Sequence, residues 1–143
     1  VKAPQFIPVV IVSILFNLGL WAGPARATAN PVSTNAATFL NPPAWLNESR
    51  IDRVVDQIQQ YMEWDIRKVS VTWHNDQAEF QKFHGYDATV LAVSRKPDNT
   101  IHLGPRVTSQ NFDSVFGHEL VHIILFQKYK DSVPKWLEEG LAN

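Results

Sequence analysis

Apolar residues fall at helical spacing early in the chain: Ile51, Val54, Val55, Ile58 and Met62 sit at i, i+3, i+4, i+7 and i+11. Asp52, Arg53, Asp56, Gln57, Gln59 and Gln60 take the opposite side, so the spacing predicts an amphipathic helix that covers a core. The period then shortens to two. Val69, Val71 and Trp73 alternate with Ser70 and Thr72, which predicts a strand within Lys68–His74 with one buried face. Asn75–Gly85 reads as a short helix, capped by Asn75 or Asp76 and ended by Gly85. Asp87–Pro105 reads as a hairpin. A strand near Ala88–Ser94 meets a "KPDN" turn with Pro97 suited to its second position, and Thr100–Leu103 returns. Asn111–Lys130 carries the longest helical pattern, with Asn111 or Asp113 as its cap and Lys128 and Lys130 near its C-terminal end. A further helix begins near Pro134.

Two segments precede this folded pattern. Phe6–Ala22 is an apolar run of 17 residues behind Lys2, followed by Ala25-x-Ala27 and Ala27-x-Ala29. Residues 1–29 therefore read as a cleaved export signal. The rival is an uncleaved anchor attaching the protein to a membrane through residues 6–22, at the short end for a span. Residues 30–44 are rich in Asn, Pro, Thr and Ala and read as a linker. Residues 45–143 are then the domain, and its location is secreted, periplasmic or in the cell envelope.

Composition narrows the chemistry. The chain has 143 residues, a formal net charge of −1 and no cysteine. Near-neutral charge without a basic stripe gives no case for nucleic acid. Without cysteine there is neither a disulfide framework nor a thiolate site, so any metal is held by His, Asp or Glu.

The candidate chemistry lies in "GHELVH", residues 117–122. Residues four apart share one face of a helix, so His118 and His122 can direct both imidazoles at one ion. Glu119 is turned by about 100° and can reach a water there, as a general base. Leu120, Val121, Ile123, Ile124, Leu125 and Phe126 make this helix apolar nearly all round. It is therefore expected to be buried, where two histidines and a glutamate without partners are costly. A metzincin-like extension needs glycine at position 125 and histidine at 128; the chain has Leu125 and Lys128. Downstream carboxylates are Asp131, Glu138 and Glu139. Asp131 is too close, which leaves two neighbours about 100° apart on one helix.

"HELVH" followed by "PKWLEEGLA" resembles the gluzincin zinc metallopeptidases, in particular the peptidase MA-like group, over residues 118–142. The resemblance implies that the glutamate before glycine, Glu139, is the third Zn2+ ligand and that Glu138 holds a variable position. Asn143 stands where thermolysin-like relatives often carry an Asp that supports a zinc histidine, so its side chain becomes a candidate partner of an imidazole. Relatives also bind peptide along an edge strand before the zinc helix, which implicates Thr100, Ile101, His102 and Leu103. Their oxyanion-stabilising Tyr or His has no match here. With the stop at Asn143 directly after "EEGLA", that leads to the expectation of a chain cut short at its C-terminus. His74 and His84 are expected to be structural, and Trp136 to pack.

The expectation is an α+β, zincin-like domain, with a small mixed sheet packed on the HExxH helix and a Glu-bearing helix behind it. It would be an exported bacterial zinc metallopeptidase acting on a peptide or protein substrate. The alternative is a catalytically silent zinc-binding envelope protein or peptide-binding module.

Overall fold

The computed structural model describes residues 29–143. The export signal or anchor expected within residues 1–29, with its apolar run 6–22, lies outside the described residues save for Ala29. Among the described residues no helix is long and apolar enough to cross a membrane. The fold is mixed α+β, with four α-helices and one five-stranded sheet among the described residues. The strands are β1 (Val32–Ser33), β2 (Ala37–Leu40), β3 (Val69–Trp73), β4 (Ala92–Arg95) and β5 (Thr100–Leu103). The helices are α1 (Glu48–Met62), α2 (Gln77–His84), α3 (Phe112–Tyr129) and α4 (Lys135–Ala142).

The strand order is β1-β2-β3-β5-β4. The central pairs, β2 with β3 and β3 with β5, are parallel, and both edge strands run antiparallel to their neighbours. One face of the sheet carries Phe39, Val71, Trp73, Ile101 and Leu103 into a core shared with α1 and α3. Phe39, Trp45, Trp73, Phe112 and Phe116 form a connected aromatic cluster there. Ile51, Val54 and Val55 of α1 are buried, as their spacing predicts. Each fully buried apolar side chain of this size contributes about 1.5–3 kcal/mol. That burial, far more than helix propensity, holds α3 in place. Arg50 of α1 pins the start of α3, its Nε 2.7 Å from Asp113 Oδ1.

Local signals mark the ends of α1 and α2. Asn47 Oδ1 accepts from the Arg50 amide at 3.0 Å. Asp76 Oδ1 accepts from Glu79 at 2.8 Å, and Gly85 ends α2 at φ 72°. Asn111 takes the cap position of α3, but its Oδ1 accepts from the Thr108 amide.

Three expectations are corrected. Residues 30–44 are not simply a linker: they form β1 and β2, and Ala37 and Phe39 are fully buried. Four residues of alternation amid Pro, Asn and Thr are too short a signal, and parallel pairing with β3 supplies the order. Thr100–Leu103 is not an edge strand. β5 lies between β3 and β4, so β4 is the edge on that side. Alternation marks a strand but not its neighbours. Trp136 does not pack; it is 76% exposed on α4.

The second face of the sheet meets α2. Phe83 lies over the His102 ring with centroids 4.2 Å apart, and His74 Nε2 is 3.0 Å from His102 Nδ1. His102 thus points away from the face that packs on α3, as its alternation with Ile101 and Leu103 requires. Phe80 is fully buried against Gly104, where an added Cβ would stand 2.6 Å from the ring.

Two predictions follow from this docking. Gly104→Ala overpacks the α2 contact and should cost about 1–3 kcal/mol in urea unfolding. Burial, with the charges of His74 and Arg95, lowers the His102 pKa from 6.5 to about 4. The unfolded chain therefore takes up a proton near pH 6.5 that the folded chain refuses. The contribution is intact above pH 6.5 and is lost as pH falls through 6.5 toward 4. Urea midpoints measured from pH 7.5 to 4 should fall less steeply in His102→Gln; equal slopes would refute this.

Candidate metal centre

α3 is buried along most of its length because it is covered by the sheet on one side and by α1 on another, with α4 also packed on it. His118 and His122 lie one turn apart on it, as their spacing requires. Their Nε2 atoms approach to 3.0 Å. Glu139 Oε2, from α4, stands 3.9 Å from each.

The hydrogen bonds decide where the ring protons are. His118 Nδ1 is 3.1 Å from the Ala142 carbonyl, which can only accept, so this nitrogen carries the proton. His122 Nδ1 is 2.6 Å from Glu138 Oε1 and donates to it. Burial alone would raise the Glu138 pKa, but the hydrogen bonds and charges of Lys96 and His122 outweigh it. The carboxyl is held below its usual range and remains an acceptor. With Nδ1 of each ring so engaged, the two Nε2 atoms are the ones directed at each other and at the Glu139 carboxylate. A cation placed between them can accept all three of these donor atoms as ligands.

The distances fit one ion. A point equidistant from atoms spaced 3.0, 3.9 and 3.9 Å lies about 2.1 Å from each, against ~2.0–2.1 Å for zinc–imidazole bonds. His118, His122 and Glu139 can thus hold a metal ion. Asp131 follows α3 in a short 3-10 turn, Lys130–Ser132, and is not in this cluster.

Glu119 is 7% exposed and lies near Ser94 of β4. Burial is the main cause that raises its pKa. Ser94 and the charges of His122 and His118 oppose the rise, and the charge of Glu139 adds to it. Glu119 and His118 open into a cleft of about 410 Å³ walled by Leu91 and Ala92. A second cleft, of about 510 Å³, lies between α1 and α4 on the other side of His118.

The remaining predicted residues stand elsewhere. The Asn143 side chain donates to the Glu139 carbonyl at 2.7 Å, and no hydrogen bond joins it to either imidazole. The supporting role assigned to it is divided between Glu138 for His122 and the Ala142 carbonyl for His118. Thr100, Ile101, His102 and Leu103 sit one strand too far inside the sheet. Ser94 and Lys96 were missed as site residues, and Glu138 was weighed only as an alternative third ligand. Ser94 and Lys96 have no local signature, since their partners are on other elements. Glu138 was legible as a candidate, because adjacent carboxylates on one helix diverge and can serve two purposes.

Compared with protein-family models, curated proteins and solved structures, the chain matches none of them.

Divalent-metal titration with metal analysis should show one ion per chain. Glu139→Ala should abolish stoichiometric binding and Asn143→Ala should leave it intact. Glu138→Ala should weaken it by about 10–100-fold, as loss of an outer hydrogen-bond partner does. Loss in Glu138→Ala with retention in Glu139→Ala would exchange the two roles.

Proposed function

We propose that this protein is a zinc-dependent metallopeptidase of the gluzincin kind, similar to the peptidase MA-like group, with a zincin-like fold. The observation that carries the reading is the convergence of His118, His122 and Glu139 beside a buried Glu119 that opens into a cleft. A structural clamp needs the ligands but has no use for that glutamate. Zinc suits two imidazoles and one carboxylate, a set with room for a water molecule.

Bound zinc would polarise a substrate carbonyl and bring the pKa of water toward neutrality. Glu119 accepts the proton of the attacking water and later delivers it to the leaving amine. Its burial strengthens it as a base.

The edge strand β4 supplies a place for an extended peptide beside this group. The Leu91 carbonyl accepts from Gly104 at 2.8 Å. Antiparallel pairs alternate, so Val93 and Arg95 bond to β5 while the backbone groups of Ala92 and Ser94 turn to the open edge. A peptide added there as a strand lies along the cleft that holds Glu119. The export features of residues 1–29 favour an activity in the cell envelope or outside the cell.

Glu119→Gln should keep zinc and lose peptide cleavage by about 10²–10⁴-fold, the usual contribution of a general base. The measurement is cleavage of a quenched peptide library by zinc-loaded wild type and variant. Equal rates in the two, or no cleavage by wild type, would sink the peptidase reading.

A further inference from the structure

"WLEEG" offers two adjacent carboxylates, and their difference in the structure comes from a residue far away in the chain. Lys96 begins the short 3-10 turn, Lys96–Asp98, that joins β4 to β5. Its Nζ is 3.0 Å from Glu138 Oε1 and 3.3 Å from Oε2. Oε1 is also the acceptor for His122 Nδ1 at 2.6 Å. A continuous line of charge-assisted hydrogen bonds therefore runs from the β4–β5 turn through α4 to α3.

The turn is itself fixed to α3. Gln127, 5% exposed and on the same helix as the histidines, donates from Nε2 to Asn99 Oδ1 at 2.8 Å. Gln127 Oε1 accepts from the Arg67 amide at 2.9 Å. Asn99 closes the turn in the left-handed region at φ 52°, its amide bonded to the Lys96 carbonyl at 3.2 Å. Its own carbonyl accepts from Ser70 of β3 at 3.0 Å. These bonds hold the backbone of Lys96 against the helix that carries the site.

We propose that Lys96 is a positioning residue for the metal: by pairing with Glu138 it commits that carboxylate to His122 and leaves Glu139 as the ligand. Glu138 is nearly buried and lies one residue from a carboxylate that faces the two Nε2 atoms. Without a cation on its outer side, the strongest positive charge in reach is the metal position itself. Glu138 then turns from His122 and competes with Glu139, which loosens the imidazole and adds a second anion to the site. Lys96 removes that alternative. The inference rests on the metallopeptidase reading only so far as His118, His122 and Glu139 hold zinc.

The test is zinc affinity of the full chain, measured by competition with a chromophoric chelator, together with the visible spectrum of the Co2+ form. Lys96→Met should raise the zinc dissociation constant about 10–100-fold and alter the Co2+ spectrum. Lys96→Arg, which keeps a cation for the carboxylate, should retain most of the affinity and the wild-type spectrum. Lys96→Met added to Glu138→Gln should cost little more than Glu138→Gln alone, because the lysine acts through that carboxylate. Unchanged affinity in Lys96→Met, or a full additional loss in the Glu138→Gln background, overturns the Lys96 assignment alone. A wild-type chain that binds no zinc overturns the metallopeptidase reading with it.

Discussion

Two imidazole nitrogens held 3.0 Å apart on a buried helix, with a carboxylate oxygen 3.9 Å from each, are the constraint on which the site depends. Each ring is fixed from behind, His118 by the Ala142 carbonyl and His122 by Glu138. Both acceptors come from α4, the helix that also brings Glu139 to the site. One short helix therefore backs both rings and brings up the third of the residues that can hold a metal ion.

α4 has little else to hold it. Glu138 is its one buried residue, and Trp136 faces solvent. Its placement rests largely on polar contacts with α3 and with Lys96. α3, by contrast, is locked by apolar packing against the sheet and α1. The division suits a metal site. A dry core keeps the two histidines in register, and a polar layer on top adjusts the third donor. Bound metal would in turn stabilise α4, since ligand binding favours the folded arrangement that presents all three donors.

Position in the sheet determines what each strand contributes. β5 pairs on both sides, which leaves it no free backbone groups to offer. β4 keeps an open edge and brings Ser94 near Glu119. The turn between them carries Lys96 to Glu138. The β4–β5 hairpin thus meets the site at two points, one near Glu119 and one at Glu138 behind His122. Its far face, with His102, His74 and α2, belongs to the scaffold.

Much of this could be read without coordinates. Helical spacing put His118 and His122 on one face, with Glu119 turned aside, because a helix places residues four apart together whatever surrounds it. The amphipathic pattern of α1, the caps Asp76 and Gly85, and alternation in β3 are equally local. Resemblance in "WLEEG" singled out Glu139, while geometry along the helix alone left Glu138 open. What tertiary structure decided is pairing between distant segments. Parallel contact with β3 made strands of residues 30–44 and moved Thr100–Leu103 to the interior. The reach of Lys96 across 42 positions to Glu138 separated the two glutamates. Local pattern records how each residue faces its own helix or strand. Which charge meets which carboxylate depends on how those elements pack, and that is settled only when the core closes.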